Sequence, residues 1–527
     1  MIEIELKIRD RQNNLRHEDL GAYYESILDK EVRKEEGIYY SPPLIVDYMV
    51  ENSIGGLLKG TIPADASKIK IVDPACGGGI FLLRTYQFLL DWYEKHFGKL
   101  TLAQRQKILT DNIYGVDIDP LAVEITKYCL SMQCSEGKDF SFNLDANIRC
   151  GNSLIETEVN WQSEFTHIFE LGGFDIVIGN PPYGAKYPEE HKAYFKQKYL
   201  SARTSDIVQN GTVIGKLKGS LDTFSLFIEN GFNSLKTNGY LTFIVPLSVI
   251  SSDSMTALHQ ILFENCKTIK VSSYAKRPIQ IFRDSCVANT IIGFVRTNTK
   301  CEHIWTTKMN RLTDRDGLAT LLKKLKFTEG LRFTMRGRIP KISLPIEKRI
   351  LKKLFAKCHS PTKNLIDENG KPIYYRSSGG RYYNVIINCS QGSTKERAIH
   401  FDKKFTDTIG AILSSSLFWW YQQVYSNSLD LKAYEIESFP VPVEKITPAI
   451  RRKIEKLYEK YLQSIERHVI ERDTQAYKHV TKFKEYKIRY SKALIDAMDD
   501  IICPLYGLTD EELEFIKNYE LRFRIDD

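Results

Sequence analysis

The stretch Asp175-Ile-Val-Ile-Gly-Asn-Pro-Pro-Tyr183 joins an apolar run to a turn stiffened by two prolines. The run has the length and composition of a buried strand, which would carry Asn180 and Tyr183 at its carboxyl end. An amide oxygen and a neighbouring backbone carbonyl can both accept hydrogen bonds from one amino group, and a tyrosine ring offers a flat face for stacking. Asn-Pro-Pro is also an ordinary strand-ending turn, so the interpretation depends on further signals.

A second signal lies upstream, in Ile69-Lys-Ile-Val-Asp-Pro-Ala-Cys-Gly-Gly-Gly-Ile-Phe-Leu82. The pattern predicts a buried strand, a glycine-rich turn and an amphipathic helix from Phe81 to Tyr93. Glycines at positions 77 to 79 let a ligand approach the backbone closely. The turn is therefore a candidate cofactor-binding loop.

A nicotinamide-binding fingerprint would need G-x-G-x-x-G and an acidic residue roughly 20 positions further on. Here the glycines are contiguous, and the next strand-ending acid, Asp117, follows Gly79 by 38 positions (117 − 79). A second predicted helix, Leu102 to Leu109, lies between them. The spacing excludes that fingerprint.

Four segments in chain order resemble motifs I to IV of the amino-methyltransferases that use S-adenosylmethionine (SAM): Asp73–Gly79, Asp117–Ile118, Cys150–Ser153 and Asn180–Tyr183. An earlier stretch, Gly37-Ile-Tyr-Tyr-Ser-Pro-Pro-Leu-Ile-Val-Asp-Tyr-Met49, resembles motif X. This order, with motif X first and the recognition region last, is similar to gamma-class DNA adenine-N6 methyltransferases. The resemblance covers roughly residues 20 to 300 closely and is looser beyond.

The resemblance implies an α/β fold class and three regions. Residues 1–300 would form a Rossmann-like SAM-dependent methyltransferase domain with an amino-terminal helical lead. Residues 301–445 would form an α+β target-recognition region that binds DNA, and residues 446–527 a helical tail. Within the first region, Lys196 to Ser220 is polar and basic, and we expect either a mobile loop that orders on DNA or a plain surface insertion.

The resemblance also implies SAM as the cofactor. Asp117 would accept hydrogen bonds from the ribose hydroxyls, Ile118 would pack on the adenine ring, and Asn152 would contact the adenine amine at a position where the family often has an acid. Cys76 would pack as a small residue in the turn and not act as a nucleophile. The complete predicted cofactor set is Tyr40, Ser41, Pro42, Asp73, Ala75, Cys76, Gly77, Gly79, Asp117, Ile118, Asn152 and Ser153.

The implied catalytic residues are Asn180, Pro181, Pro182 and Tyr183. Asn180 and the carbonyl of Pro181 would accept the two hydrogens of the target adenine amine, which needs no general base with a tuned pKa. The target base must leave the duplex, and Tyr183 and Phe282 would stack on it. The alternative for Phe282 is a core position beside a strand.

Charge provides an independent observation. Residues 1–300 hold 33 basic and 36 acidic residues, whereas residues 301–527 hold 41 and 30. Basic and aromatic residues alternate in Leu331–Arg338 and Tyr374–Tyr383, which predicts DNA contacts for Arg336, Arg338, Arg376 and Arg381. The alternative is an ordinary solvated face.

The remaining composition is that of a globular protein, with 43% hydrophobic residues and a net charge of +8. Ten cysteines occur without C-x-x-C pairs, so we expect neither a metal site nor a disulfide framework. The start of the chain lacks a signal-peptide pattern, and no apolar run approaches the ~18 residues of a membrane span. We therefore expect a cytoplasmic, nucleoid-associated bacterial or archaeal protein without a membrane partner.

These observations lead to one hypothesis and two alternatives. The hypothesis is a site-specific DNA adenine-N6 methyltransferase, and the roughly 36 residues before motif X lead us to expect no intrinsic nuclease, although a separate restriction endonuclease could be a partner. One alternative is methylation of RNA or of protein glutamine, because those families also use Asn-Pro-Pro-Tyr. The other is a catalytically idle DNA-binding specificity subunit.

Overall fold

A computed structural model of the 527-residue chain describes residues 20–21, 23–24, 41–137, 142–209, 212–282, 287–377, 386–391, 395–427, 430–473 and 482–525. The chain divides into two compact units, Met1–Gly337 and Arg338–Asp527. Each unit is described by itself. In the described part of the chain, no helix is long and apolar enough to cross a membrane.

The first unit contains eleven described strands. They are β1 (Ile71–Asp73), β2 (Ile113–Asp117), β3 (Ile148–Cys150), β4 (Phe174–Gly179), β5 (Ser205–Gln209), β6 (Thr212–Leu217), β7 (Leu235–Pro246), β8 (Thr268–Tyr274), β9 (Asn289–Val295), β10 (His303–Asn310) and β11 (Thr328–Glu329).

Nine of these described strands form one sheet in the order β11-β10-β8-β9-β7-β4-β1-β2-β3. Strands β3, β2, β1, β4 and β7 run parallel, whereas β9 is antiparallel to both β7 and β8. The central strands β1 and β4 are buried along their whole length, as expected for parallel strands covered by helices on both faces. The predicted α/β fold class is confirmed.

The helices of the first unit lie between these strands. They are α1 (Pro43–Leu58), α2 (Pro63–Ala66), α3 (Ile80–Phe97), α4 (Leu102–Asn112), α5 (Pro120–Cys134), α6 (Trp161–Glu164), α7 (Thr166–Phe169), α8 (Glu189–Lys198), α9 (Thr223–Ser234), α10 (Ser248–Ser251), α11 (Thr256–Asn265) and α12 (Leu318–Lys323), with 3-10 turns at Leu200–Ala202, Asp253–Met255 and Leu331–Phe333.

Local sequence accounts for the bounds of the two predicted helices. Helix α3 runs to Phe97 and ends at Gly98, which adopts a φ of 73° and donates its N–H to Glu94. Helix α4 begins after Thr101, whose side chain forms a capping box with Gln104. Both helices are a few residues longer than their apolar periodicity predicts.

The first unit extends beyond residue 300, where the sequence predicts a boundary. Strand β10 pairs with β8 in parallel, and β11 pairs with β10, so both extend the main sheet. The predicted boundary followed the end of the close resemblance, and the pairing of later strands leaves no mark in those motifs. The compact unit therefore ends at Gly337.

The segment predicted as a mobile loop or surface insertion contains regular structure. After α8 and a 3-10 turn, strands β5 and β6 pair in an antiparallel hairpin separate from the main sheet. Each strand has only two consecutive apolar β-branched residues, Ile207-Val208 and Val213-Ile214, and the polar residues and glycines around them hid the strands.

The second unit combines short strands with helices. Its strands are β12 (Ser360–Pro361), β13 (Ile366–Arg376), β14 (Ile386–Ile387), β15 (Glu396–Phe401), β16 (Pro440–Val441), β17 (Val469–Asp473) and β18 (Lys482–Tyr486). Its helices are α13 (Pro345–Leu354), α14 (Thr406–Ser414), α15 (Ser416–Tyr425), α16 (Ala433–Glu437), α17 (Pro448–Arg467), α18 (Lys492–Leu505), α19 (Asp510–Asn518) and α20 (Leu521–Ile525), with 3-10 turns at Thr362–Leu365, Val443–Lys445 and Ile488–Ser491.

The aromatic residues of α15 lie in the core of this unit. Trp420 is fully buried and Trp419 is 3% exposed. Thr509 and Glu512 form a capping box at the start of α19. The predicted helical tail is interrupted, however, because β17 and β18 pair as a hairpin between α17 and α18. Helical periodicity on either side hid these two strands.

Candidate functional site

The carboxyl ends of β1, β2, β3 and β4 lie at one edge of the sheet, because these strands are parallel neighbours. Asp73 and Asp117 are the last residues of β1 and β2, and Asn180 follows the last residue of β4. Ligands of open α/β sheets bind outside this edge. The strand order therefore brings the predicted motifs together although they are far apart in the sequence.

The glycine-rich turn after β1 is held by short contacts. Gly79 precedes α3 with a φ of 85°, a conformation that favours glycine, and a Cβ there would lie 2.8 Å from the hydroxyl of Thr126. That hydroxyl donates to the carbonyl of Gly77 at 2.8 Å. A Cβ on Gly78 would lie 2.6 Å from Cα of Gly21. Glycine is thus required for close backbone packing as well as for ligand access.

Asp117 joins the turn to the end of β2. One carboxylate oxygen accepts the N–H of Gly77 at 2.7 Å, and the other accepts the N–H of Asp119 at 3.0 Å. Asp119 caps α5 by accepting the N–H of Leu121, and it also accepts a hydrogen bond from the Tyr24 hydroxyl. The acid that the sequence identifies is therefore fixed by backbone donors at the floor of the site.

A cavity of about 380 Å³ opens at this edge. Its walls include eleven of the predicted residues: Ser41, Asp73, Ala75, Cys76, Gly77, Asp117, Ile118, Asn152, Ser153, Asn180 and Pro182. Pro42, Gly79, Pro181 and Tyr183 are outside the lining, and Tyr40 lies outside the described residues. The structure thus brings the predicted cofactor loop and the first catalytic residue into one cavity.

Individual side chains of the cavity differ in how they are held. Ile118 is 63% exposed, which leaves its face open to a ligand. The side-chain carbonyl of Asn152 accepts the N–H of Leu154 at 3.0 Å. The hydroxyl of Ser153 donates to the carbonyl of Pro74 at 2.5 Å and so joins two walls of the cavity.

Asp73 and Cys76 are buried. A carboxylate oxygen of Asp73 accepts the N–H of Ala75 at 3.0 Å. Burial raises the pKa of the Cys76 thiol well above its usual range, and the negative charges of Asp117 and Asp73 raise it further. The thiol is therefore protonated, in agreement with the predicted packing role.

The Asn-Pro-Pro-Tyr loop has a hydrogen-bonded end and an aromatic end. The Tyr183 hydroxyl lies within hydrogen-bonding reach of both the side-chain carbonyl of Asn180 and the backbone carbonyl of Ile244, the latter at 3.1 Å. The rings of Tyr183 and Phe282 meet edge to face with centroids 6.5 Å apart. Both rings are buried, at 8% and 1% exposure.

Comparisons with known proteins agree with this geometry. Residues 111–282 match the Eco57I restriction-modification methylase family. The type II restriction enzyme and methyltransferase RM.Eco57I of Escherichia coli is 30% identical over 329 residues, which cover 53% of this chain and 31% of that protein. The adenine-specific methyltransferase PglX of Streptomyces coelicolor is 21% identical over 211 residues, which cover 34% of this chain and 17% of that protein.

Residues 111–282 of the first unit are therefore similar in sequence to the Eco57I restriction-modification methylases. This confirms the predicted relationship to adenine methyltransferases of restriction-modification systems, whereas the gamma class stays a prediction. The chain spans less than a third of the length of both of these relatives. The type IIL restriction-modification enzyme MmeI, solved in complex with DNA, has a similar fold, with a TM-score of 0.55 and 14% sequence identity. The match covers 96% of this chain and 81% of that chain.

The first unit also has cavity residues that the sequence did not single out. They include Tyr24, Asp119, Tyr187, His191 and Phe227. The Asp119-Pro120 pair has the form of a helix start and could have identified Asp119 as a cap. The others reach the cavity through tertiary packing, as in the edge-to-face contact of Tyr187 with Phe195 at 4.8 Å. Nothing in their local sequence marks them.

The four arginines predicted to contact DNA have different environments. Arg336, in the first unit, and Arg376, at the end of β13, are exposed, and Arg381 lies outside the described residues. Arg338 is only 6% exposed, its guanidinium lies 5.0 Å from the ring centre of Tyr434, and it donates to the Ser438 hydroxyl at 3.2 Å. The prediction of a DNA contact is therefore corrected for Arg338, since its charge is used inside the second unit.

Proposed function

We propose that this chain is a site-specific DNA adenine-N6 methyltransferase that uses SAM. The observation that carries the proposal is that Asn180 and Asp117 line the same cavity of about 380 Å³. One end of the cavity presents acceptors suited to an amino group, and the other presents the glycine turn and a strand-end carboxylate. The relationship to the Eco57I methylases and the adenine-specific name of PglX support the same assignment.

The residues of the cavity fit SAM. The carboxylate of Asp117 is held by two backbone donors at the end of β2, and a carboxylate at that position suits the ribose hydroxyls as hydrogen-bond donors. The exposed face of Ile118 suits the adenine ring, and the turn of Ala75 to Gly79 with Asp73 suits the zwitterionic amino-acid portion. When bound, SAM supplies a methyl group that is already activated by its sulfonium centre.

Activation of the target amine would fall to the Asn180 loop. The adenine amine is a poor nucleophile because its lone pair is delocalised into the ring. Asn180 and the carbonyl of Pro181 would accept its two hydrogens and favour a tetrahedral nitrogen whose lone pair points into the cavity, which is orientation and electrostatic catalysis. The loop therefore needs no titrating base.

The Tyr183 hydroxyl would give up its place on the Asn180 carbonyl to the adenine amine and still keep a hydrogen-bond acceptor. One hydroxyl proton can serve only one acceptor at a time, and two carbonyls lie within its reach. When the incoming amine occupies Asn180, the hydroxyl can donate to Ile244 instead, so neither group is left buried without a hydrogen bond. The target adenine would be flipped out of the duplex. Tyr183 stays the predicted stacking partner, whereas Phe282 is 1% exposed within the hydrophobic core and has the core position given as its alternative.

The test is methyl transfer from tritiated SAM to unmodified genomic DNA, followed by sequencing for N6-methyladenine. Wild type and Asn52→Ala, a change at an exposed asparagine of α1, should label adenine within one recurring sequence, and Asn180→Ala should not. Label in RNA or in protein would replace the proposal with the corresponding alternative. DNA binding without transfer to any substrate would favour the idle subunit.

A further inference from the structure

We propose that the β5–β6 hairpin enters the DNA duplex beside the target adenine and occupies the space that the flipped base leaves. This inference rests on the proposed function, because it takes duplex DNA as the substrate. The hairpin is not part of the cavity described above. Its place in the fold, its side chains and its charge each support the inference.

The hairpin lies at the same edge of the sheet as the Asn180 loop. The chain leaves β4 at this edge and returns through α9 to β7, which runs parallel to β4, so α9 begins at the carboxyl edge. The hairpin immediately precedes α9. The N–H of Ala185, two residues after Tyr183, donates to the hydroxyl of Thr223 in the first turn of α9 at 3.2 Å.

The base of the hairpin is anchored to the body of the unit. The N–H of Lys218 donates to the hydroxyl of Thr256 at 2.6 Å, and the carbonyl of Lys218 accepts the N–H of Ala257 at 3.1 Å. Gly219 packs so closely on Ala202 that a Cβ would lie 2.4 Å from the backbone of that residue. These contacts fix the direction in which the hairpin projects.

The projecting part of the hairpin exposes branched apolar side chains. Val208 and Val213 are cross-strand partners with 59% and 54% exposure, and Ile214 is 59% exposed. Neither strand pairs with the main sheet in the described part of the chain. Exposed apolar side chains on both strands of a hairpin are unfavourable in water, and we take them as the mark of an interaction site. Apolar wedges of this kind separate base steps in proteins that deform DNA.

The surroundings of the cluster favour DNA over a protein partner, because they are basic. From Lys196 to Lys218 the sequence has five basic residues and one acidic residue. Lys198, Lys216 and Lys218 pair with carboxylates, those of Glu156, Asp206 and Asp253. The guanidinium of Arg203 donates to the backbone carbonyls of Lys196 and Gln197, so its charge is not neutralised there by a carboxylate. Arg336 lies against the hairpin, with a guanidinium nitrogen 3.0 Å from the Cβ position of Gly215. Positive charge around an apolar tip suits phosphates around a base step.

The test replaces Val208, Val213 and Ile214 together by threonine, which keeps the β-branching and strand preference but makes the tip polar. The control is Ile62→Thr, a change at an apolar residue of equal exposure in the same unit. The triple variant should methylate a fully paired duplex about tenfold more slowly than wild type, or slower still. It should methylate a duplex with a mismatch opposite the target nearly as well as wild type does, because a mismatched base is easier to extrude. SAM affinity should not change.

A second measurement separates this inference from the proposed function. A photoreactive benzoylphenylalanine at position 208 should crosslink to bases of duplex DNA, and the same group at position 62 should not. Base crosslinks in a protein that transfers no methyl group to DNA would overturn the proposed function, and would leave standing only the entry of the hairpin into duplex DNA. Absence of base crosslinks, or equal activity of the triple variant on paired and mismatched duplexes, would overturn the hairpin assignment.

Discussion

The hydroxyl of Tyr183 reaches the side-chain carbonyl of Asn180, three residues earlier in the same loop. Tyr183→Phe keeps the aromatic ring but removes the hydroxyl that can donate to the carbonyls of Asn180 and Ile244. A buried hydrogen bond contributes about 1 kcal/mol, so we expect kcat to fall about fivefold to tenfold with SAM affinity unchanged. The measurement is single-turnover methylation together with calorimetric SAM binding.

The matched control for that change is Tyr114→Phe. Tyr114 lies in β2, outside the cavity lining, and its hydroxyl contacts the backbone carbonyl of Thr110 at 3.2 Å. This variant should lose some stability and keep its kcat. Equal losses of kcat in both variants would show that the Tyr183 hydroxyl acts through stability alone.

The hydrogen bond from Gly77 to Asp117 predicts a different defect. Asp117→Ala removes the acceptor of the Gly77 and Asp119 amides and the expected acceptor of the ribose hydroxyls. Hydrogen bonds to a charged group contribute about 1.5–3 kcal/mol, so SAM affinity should fall at least about tenfold, and Asp117→Asn should fall between wild type and alanine. Calorimetry measures this loss, with Glu124→Gln, an exposed acid on α5, as the control. Unchanged affinity in Asp117→Ala would refute the assigned role.

The contact between Gly78 and Gly21 predicts an effect on stability. Gly78→Ala would place a Cβ 2.6 Å from the Gly21 backbone, so the helical lead or the turn must shift. Overpacking of this kind costs about 1–3 kcal/mol. Gly56→Ala is the matched control, because a Cβ on this helical glycine meets nothing within 4 Å and alanine is favoured in helices by about 1 kcal/mol. Urea unfolding should therefore move in opposite directions for the two variants.

Much of the site could be predicted because its signals are local. An apolar run followed by Asn-Pro-Pro-Tyr, or by Asp-Pro-Ala-Cys-Gly-Gly-Gly, carries both the strand and the turn within a few residues. The parallel order of β1, β2 and β4 then brings Asp73, Asp117 and Asn180 together with no further specification. Short-range patterns were therefore enough to predict which of these residues meet at the cavity.

The remainder depends on pairing and packing between distant residues. The contact of Tyr24 with Asp119 joins positions 95 apart, and the addition of β10 to the sheet depends on its register with β8. Arg338 is the clearest case, because an arginine in a basic, aromatic stretch has the same local sequence whether it faces DNA or a buried tyrosine. Only burial separates the two outcomes.

Arg336 and Arg338 consequently predict opposite phenotypes although they are two positions apart. Arg336→Gln should weaken DNA binding and lower the slope of log affinity against log salt by about 1, as expected for one lost phosphate contact. Arg338→Gln should leave the slope unchanged and cost about 2 kcal/mol of stability, since it removes a buried cation–π contact and a hydrogen bond to Ser438. Fluorescence anisotropy at several salt concentrations and urea unfolding provide the two measurements. A reduced slope in Arg338→Gln would restore the DNA contact first predicted for it.

His259 predicts how the stability of the first unit depends on pH. Its imidazole is 4% exposed, with Nε2 2.7 Å from the carbonyl of Val249, and burial lowers its pKa to about 4. In the unfolded chain a histidine titrates near pH 6.5, so the unfolded state binds the extra proton between these values. The contribution is therefore fully present above pH 6.5 and is lost as pH falls towards 4, with about 2 kcal/mol lost at pH 5. Wild type should lose about 2 kcal/mol more of its free energy of unfolding between pH 7.5 and pH 5 than His259→Gln loses. His96→Gln, a change at an exposed histidine, is the control. Equal losses in wild type and His259→Gln would show that His259 is not the group that titrates.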